Sequence, residues 1–534
     1  MSNKKNDLLL AAAIPIVIFF LCLFGADNNC YWGDDFAAYM SEGIAIADGY
    51  FDEQTSLNYI MHPTALPDEA SGGKLVYTWG YSLLLAAVYK IAGFDRVGFT
   101  SLIYYKIPSV LAVALFSGIL YLFLRRRFGR RISFVFAFLF GACYNFRYFI
   151  NTLYSDIVFL FFAMLSLYLA ELFLDSVKKR DTVLFGTLLG LSLWFTYEVR
   201  LNGISILFAC AAACIIRTVS ERKQADRHRV LTCLFPFIVF LLLKLVSEAM
   251  LAPATGNTSD ISNVTLRSII ANLKTYYEST CSFLGQILDD AGLNLINSIL
   301  SSLTSTGEDT YGVIADMCSA IKHVLSIIIL IICLIGLISD GFRLKNLHLT
   351  LFAFVYILVV CMLPYNQGTR YILPVLMLLP MYNCYGLLCL SKVMSDKITA
   401  SAAYKVICSC VAAFLCIITL LGAVKSDIYY RKADNTEDQA LYYWAYAYTD
   451  KAIDVYNYIS DNLPADCSIA FYKPRALYLN TERLSFRPDK NGHSLEDAGY
   501  YLVAASMEEQ QLPVPDSYDL IYTNGEFSLY KNME

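Results

Sequence analysis

Six charged side chains lie beside long apolar segments, where the sequence predicts the ends of membrane helices. They are Asp34, Asp35, Asp156, Glu198, Arg200 and Arg370. A carboxylate there could accept a proton from a hydroxyl group. A guanidinium could hold a phosphate through two parallel hydrogen bonds, and it would stabilise that phosphate more strongly as negative charge grows on it. Adjacent carboxylates raise each other's pKa, which suits either a base or a metal site.

Each of these residues also has a simpler explanation. Asp34 and Asp35 could form a solvated cap, and Asp156 could favour a helix N-terminus through the helix dipole. Arg370 could extend its charged end to the membrane interface. The functional interpretation therefore depends on where the membrane spans place these residues.

The composition is that of an integral membrane protein. Of 534 residues, 57% are hydrophobic and only 16% are charged, with a mean hydropathy of +0.50. Average soluble domains contain about 25% charged residues. The small net charge of −5 gives no support for a nucleic-acid partner. None of the 16 cysteines has zinc-site spacing, and most lie in apolar runs as buried thiols do.

A membrane span needs about 20 apolar residues, and the chain contains eleven candidates. They lie near 8–25, 104–124, 132–150, 155–174, 182–198, 201–217, 230–251, 323–339, 347–364, 371–390 and 402–424. Residues 79–93 are apolar but short, so they predict an interfacial or re-entrant helix. We therefore expect an α-helical polytopic protein.

The distribution of positive charge predicts the orientation. With the N-terminus in the cytoplasm, the short inner segments carry 19 Lys and Arg residues, whereas the short outer loops carry only Arg147, Arg200 and Arg370. Such a bias is typical of cytoplasmic loops. All six candidate residues then lie at the outer face, which favours a functional site over six unrelated local roles.

Three larger segments are then outside the membrane: residues 26–103, 252–322 and 425–534. No inner segment is long enough for a nucleotide-binding domain. We expect a transmembrane domain at 1–424 and an extracytoplasmic α/β domain at 425–534. Within the latter, residues 438–464 predict an amphipathic helix, and SIAFY, YYLVAAS and YDLIY predict strands. Asn524-Gly525 predicts a hairpin.

Several segments, in order, resemble the GT-C superfamily of glycosyltransferases that use polyprenyl-phosphate sugars. This superfamily includes the protein O-mannosyltransferases and the lipid A aminoarabinose transferases. WGDDFAAYMSEGIAIADG resembles the acidic motif of the first outer loop, and YTWGYSLLLAAVYKIAG resembles a segment of the type PPGYPLLLALLYKLFG, with Thr78-Trp79 in place of Pro-Pro. NTLYSDIVFLF, WFTYEVRLNGI and GTRYILPVLMLLP resemble the second acidic site, an R-x-x-G stretch and an RY-x-LP stretch.

The resemblance implies a role for individual residues. The catalytic base falls on Asp35 or Asp34, and Tyr39, four residues after Asp35, favours Asp35. Asp156 matches the second acid, which orients the acceptor or binds a metal. The resemblance also implies donor-phosphate contacts for Arg200, Arg370, Tyr39 and Lys74. The cofactor stays unassigned, and a divalent metal is one candidate.

The implied function is transfer of a monosaccharide from a polyprenyl-phosphate donor, by inverting displacement, to an acceptor hydroxyl at the outer face of the cytoplasmic membrane. The expected partners are the lipid-linked donor, membrane lipid, and a glycan, glycolipid or protein acceptor. Two alternatives stay open. An oligosaccharide polymerase or ligase would share the topology but usually relies on a large loop with Arg and His. A transporter or flippase of lipid-linked sugars predicts paired halves and broken helices at the midplane.

The orientation predicts the outcome of a fusion experiment. A reporter that is active only outside the cytoplasm should be active when fused after Glu534 and inactive when fused after Lys223. The excess of Lys and Arg in the inner segments places these two positions on opposite sides of the membrane. The reverse result at either position would move the six candidate residues to the cytoplasmic side.

Overall fold

The computed structural model is a bundle of apolar helices with a small mixed sheet at one end. It describes residues 2–30, 34–61, 77–94, 102–220, 227–251, 264–290, 308–363, 368–393, 410, 415–425, 447–488 and 493–533. Lys74, a candidate phosphate ligand, lies outside these residues.

The bundle and its loops contain seventeen α-helices in the described residues. They are α1 Ser2–Gly25, α2 Asp35–Asp48, α3 Phe51–Met61, α4 Trp79–Ala92, α5 Leu102–Arg125, α6 Arg130–Ala142, α7 Tyr144–Asn151, α8 Asp156–Leu174, α9 Lys179–Val199, α10 Ile204–Ser220, α11 Arg227–Met250, α12 Leu266–Leu288, α13 Glu308–Gly336, α14 Leu347–Cys361, α15 Thr369–Leu376, α16 Leu379–Val393 and α17 Leu415–Lys425.

The helices confirm a polytopic membrane protein. Seven segments are long and apolar enough to cross a membrane, one of them (Arg130–Asn151) being α6 and α7 together, and α15 with α16 forms an eighth span that is bent by 50°. The other three predicted spans coincide with the shorter apolar helices Leu201–Arg217, Leu347–Cys361 and Leu415–Lys425. Of the predicted span 402–424, residues 402–409 and 411–414 lie outside the described residues. Trp79–Ala92 is a short apolar helix, in keeping with an interfacial or re-entrant segment.

Burial separates central helices from peripheral ones. The apolar windows of Leu102–Arg125 and Asp156–Leu174 are each 67% buried, whereas that of Asp316–Gly341 is only 11% buried. A helix that is apolar all round and mostly exposed in the isolated chain is a lipid-facing span. The two central helices therefore form the framework to which the site residues attach.

Two glycines allow α13 and α16 to cross at very short distance. A Cβ atom on Gly386 would lie 2.0 Å from the carbonyl oxygen of Ile332, and one on Gly336 would lie 1.8 Å from that of Tyr382. Small residues permit such backbone contact between membrane helices, where lipid supplies little driving force for association.

The C-terminal domain, called the outer domain after the placement that the charge bias predicts, has a five-stranded sheet and two α-helices in its described residues. Its elements are α18 Asp450–Asn462, β1 Ser468–Ala470, α19 Pro474–Thr481, β2 Leu484–Phe486, β3 Tyr500–Ala504, β4 Tyr518–Thr523 and β5 Phe527–Asn532. The strand order is β2-β1-β3-β5-β4. β1 is parallel to β2 and β3, whereas β5 is antiparallel to β3 and β4.

The α/β architecture and the hairpin match the sequence prediction. Gly525 lies in the β4–β5 turn with a φ of 87°, a conformation that glycine adopts without strain. Of the predicted amphipathic helix 438–464, residues 438–446 lie outside the described residues. The helix begins at Asp450 because the Thr449 hydroxyl caps the backbone N–H of Ala452. α19 and β2 were not predicted.

The outer domain is docked on the bundle through α19, which packs on α2 and α3. Three hydrogen bonds strengthen this contact. The backbone N–H of Ala447 donates to the carbonyl oxygen of Cys30 at 2.8 Å, and the side-chain amide of Asn29 donates to the carbonyl oxygen of Tyr448 and accepts from its backbone N–H. One continuous hydrophobic core extends from the central spans to Ile469 and Leu529 in the sheet.

The crossing of α13 and α16 gives a stability prediction. Gly386→Val should lower the thermal unfolding midpoint in detergent, because overpacking typically costs about 1–3 kcal/mol. Gly285→Ala is the matched control: Gly285 also lies inside a helix, but a Cβ atom there meets nothing within 4 Å. That control should be neutral or stabilising, since alanine favours a helix. Equal midpoints for Gly386→Val and wild type would contradict the close crossing.

Candidate functional site

Five of the six charged residues singled out in the sequence lie in one cluster. Asp35 and Asp156 are the first residues of α2 and α8, and Arg370 is the second residue of α15. Arg200 directly follows α9, and Asp34 directly precedes α2. The cluster therefore forms where several helices begin or end at the same side of the bundle.

Asp156 holds two arginines together. One of its carboxylate oxygens accepts a hydrogen bond from Arg200, and the other accepts from Nε of Arg370 at 2.5 Å. All three side chains are largely buried, with 4%, 13% and 11% of their surfaces exposed. Each buried guanidinium thus has a carboxylate partner, as burial of charge requires.

Asp35 lies between two arginines. Arg370 donates to Oδ2 at 3.3 Å, and Arg475 of the outer domain donates to Oδ1 at 3.4 Å. The Asp35 side chain is 35% exposed, far more than that of Asp34 at 11% or Asp156 at 4%. Among the three aspartates, Asp35 is therefore the one that an incoming molecule can reach.

Asp34 has a different environment from its neighbour. Its backbone has a positive φ of 58° with a ψ of −30°, a combination that is uncommon for a residue other than glycine. Its carboxylate accepts a hydrogen bond from the backbone N–H of Ala476, in the first turn of α19, at 3.1 Å. Lys473, at the N-cap of α19, provides no side-chain cap. Asp34 therefore caps a helix of the outer domain from a distant part of the chain.

The two aspartates also differ in their pKa. Burial raises the pKa of Asp34, and Arg475 and Lys473 offset this only in part. Burial also acts to raise the pKa of Asp35, but Arg370 and Arg475 outweigh it, and the pKa of Asp35 is lowered. With Arg370 and Arg475 in place, Asp35 is held as a carboxylate.

Tyrosines line the cluster. The Tyr39 hydroxyl is 3.1 Å from that of Ser155, which adjoins Asp156. Arg370 stacks over the Tyr154 ring at 4.1 Å, and Arg200 lies over Tyr371 at 5.1 Å. Such stacking fixes the plane of a guanidinium and leaves its edge available for an anion.

Glu198 does not join the cluster. Its carboxylate accepts a hydrogen bond from Ser247 at 3.1 Å and pairs with Lys244 at 3.2 Å.

The backbone of Glu198 also explains why the YTWGYSLLL segment contains a glycine, Gly80. A Cβ atom on Gly80 would lie 2.6 Å from the backbone carbonyl of Glu198, so glycine is needed where α4 meets α9.

Arg475 is the site residue that sequence reasoning missed. It lies in α19, an element that was not predicted, and 440 positions from Asp35 along the chain. One local signal was present, because proline in Lys473-Pro474-Arg475 favours the first turn of a helix. Nothing in the sequence placed that helix against the first outer segment.

The carboxylates of the cluster do not fit a divalent metal in this arrangement. Both oxygens of Asp156 and both oxygens of Asp35 already face guanidinium groups. In the part of the chain that the structure describes, no group of three or more His, Cys, Asp or Glu residues could hold a metal ion.

Comparison with known proteins agrees with this architecture. Residues 80–243 match the family of dolichyl-phosphate-mannose-protein mannosyltransferases. The structure resembles ArnT from Cupriavidus metallidurans bound to undecaprenyl phosphate, with a TM-score of 0.56 at 10% identity over 98% of both chains. It also resembles the Archaeoglobus fulgidus oligosaccharyltransferase in complex with Zn and sulfate, with a TM-score of 0.56 at 11% identity over 97% of this chain and 73% of that chain. The sequence matches no curated protein.

This protein therefore has the fold of the GT-C superfamily, as a multi-pass membrane protein with a small C-terminal sheet domain. The match to the mannosyltransferase family over 80–243 and the two structural relatives confirm the resemblance that the sequence motifs indicated.

The pairing at Asp156 gives a stability prediction. Asp156→Asn removes the negative charge that pairs with two largely buried arginines. The loss of one partner from a buried ion pair lowers the free energy of unfolding by about 3 kcal/mol or more. The thermal midpoint in detergent should fall clearly.

Asp175→Asn is the matched control, because Asp175 lies at the other end of the same helix and also pairs with two arginines. Its side chain is 45% exposed, and exposed pairs contribute about 1 kcal/mol or less. Equal decreases for the two variants would show that burial at Asp156 is not decisive.

Proposed function

We propose that this protein transfers a monosaccharide from a polyprenyl-phosphate donor to an acceptor hydroxyl at the outer face of the cytoplasmic membrane. One observation carries the proposal: Arg370 contacts both Asp156 and the accessible carboxylate of Asp35. A guanidinium suited to bind a phosphate and a carboxylate able to accept a proton thus lie in one cluster, which supports sugar transfer from a lipid phosphate.

The comparisons support the lipid donor. ArnT, whose structure contains undecaprenyl phosphate, shares its fold with this protein over nearly the full length of both chains. The oligosaccharyltransferase extends well beyond this chain, which covers 73% of it.

The proposed step balances charge and atoms. Asp35 accepts the proton of the acceptor hydroxyl, and the acceptor oxygen forms a bond to the anomeric carbon from the side opposite the phosphate. The bond between that carbon and the phosphate oxygen breaks, so the configuration inverts. The polyprenyl phosphate leaves with one more negative charge, which Arg370 and Arg200 stabilise.

The geometry favours Asp35 over Asp34 as the base. Asp34 is occupied with the N-terminus of α19, whereas Asp35 is accessible and adjoins Arg370. Asp156 serves as the anchor that orients Arg200 and Arg370 toward the donor phosphate. Tyr39, hydrogen-bonded beside Asp156, and Lys74 of the first outer loop complete the proposed donor contacts.

The test is transfer by the purified protein from a panel of radiolabelled polyprenyl-phosphate monosaccharides and one lipid-linked oligosaccharide. Asp35→Asn should lower turnover by about 10²- to 10⁴-fold, the usual contribution of a general base. Donor binding should largely persist, because the phosphate contacts are arginines.

Glu53→Gln is the matched control, since Glu53 is an exposed carboxylate in the same outer segment. It should retain wild-type turnover. Full activity of Asp35→Asn would exclude Asp35 as the base. Transfer only from the oligosaccharide would replace the monosaccharide donor, and movement of lipid across vesicles without transfer would favour a flippase.

A further inference from the structure

The outer domain supplies a buried arginine to the site. The Arg475 residue is only 3% exposed, although it belongs to a domain outside the membrane. Its guanidinium contacts Asp35 at 3.4 Å, pairs with Asp34 at 3.8 Å and lies over the Tyr77 ring at 5.2 Å. Its Nε atom has no hydrogen-bond partner. A buried cation with an unsatisfied donor is costly for folding.

The approach of Arg475 depends on the way α19 is docked. The backbone N–H of Ala476, the next residue, is held by Asp34. Proline at the first position of α19 and the cap from Asp34 fix the first turn of this helix against α2. The adjacent aspartates therefore have complementary roles, because Asp34 positions the helix and Asp35 receives its arginine.

The two oxygens of Asp35 are divided between two domains. Oδ2 faces Arg370 of the membrane domain, and Oδ1 faces Arg475 of the outer domain. When a donor phosphate draws Arg370 away, only Arg475 would still hold the carboxylate in a defined orientation. Without it, Asp35 would be a partly exposed side chain that is free to rotate.

We propose that Arg475 is a positioning residue of the transfer reaction, by which the docked outer domain orients the Asp35 carboxylate toward the acceptor. This inference rests on the proposed function for the role of Asp35 as the base, but the contact between Arg475 and Asp35 can be tested without any sugar transfer. The outer domain then forms one side of the site and contributes a side chain to it.

The charge on Asp35 provides the direct readout. The charged and titratable groups that face it come from every element packed around it: Asp34, Tyr39, Tyr77, Tyr154, Asp156, Arg200, Arg370, Lys473 and Arg475. Arg370 and Arg475 lower the pKa of Asp35 against the effect of its burial. Loss of Arg475 must therefore raise that pKa, since burial remains and one of the two opposing charges is gone.

The experiment measures modification of Asp35 by a water-soluble carbodiimide and an amine across a pH series, in the full-length protein in detergent. Carbodiimides react with protonated carboxyl groups, and fragment ions in mass spectrometry separate Asp35 from Asp34. In Arg475→Gln, the midpoint of Asp35 modification should move to higher pH by about one unit, the lower end of the effect of a neighbouring opposite charge.

Two further variants complete the test. Lys531→Gln removes one exposed positive charge from the same domain and should keep the wild-type midpoint. Arg475→Lys retains the charge and should keep a midpoint near that of wild type, yet lower turnover at least several-fold, because lysine lacks the planar fork that orients a carboxylate. It also serves as the test if Arg475→Gln does not fold.

The outcomes distinguish this proposal from the proposed function. An unchanged midpoint in Arg475→Gln, or a raised midpoint in Arg475→Lys, would overturn the role of Arg475 whether or not transfer is detected. The expected shift together with an absence of transfer from every donor would uphold the contact and instead reject the proposed reaction. Where transfer is detected, its acidic limb should move to higher pH in Arg475→Gln.

Discussion

The buried guanidinium of Arg370 requires negative charge, and this requirement organises the end of the bundle on which the sheet domain is docked. An arginine near apolar surroundings is costly unless it is paired. Arg370 has two carboxylate partners from different helices, Asp156 at the start of α8 and Asp35 at the start of α2. Because Asp156 also binds Arg200, three helices and the end of a fourth are held in one arrangement. The same contacts place a cation beside an accessible carboxylate.

The adjacent aspartates show how a local backbone conformation separates two roles. The positive-φ conformation of Asp34 comes immediately before the helix that begins at Asp35. As a result, one carboxylate reaches the N-terminus of α19 and the next reaches Arg370. A pair that looks redundant in the sequence therefore joins two domains in the structure, and the pKa values of its members are shifted in opposite directions.

The sequence was sufficient to predict the charged residues that the membrane bundle contributes to the cluster. Each of its charges interrupts or borders an apolar run, so their location at helix ends followed from the limits of the spans. Arg475 could not be found in this way, because an arginine in a water-exposed α/β domain has no unusual context. Its importance arises from docking of α19 on α2, a contact between residues 440 positions apart. Glu198 met the same criteria as its neighbours, but it is engaged by Lys244 instead.

The balance of charge in the cluster suits the proposed reaction. Three arginines, Arg200, Arg370 and Arg475, face three aspartates, Asp34, Asp35 and Asp156. During transfer, Asp35 would gain a proton and lose its charge while the donor phosphate gains one negative charge. The total charge of this low-dielectric region would then stay constant, which avoids the cost of creating an unpaired charge there. Because Arg370 already contacts Asp35, a short shift of its guanidinium would exchange the Asp35 carboxylate for the donor phosphate as its partner. A neutral lipid could not replace the carboxylate in this exchange, so the same geometry would select a phosphate-bearing donor.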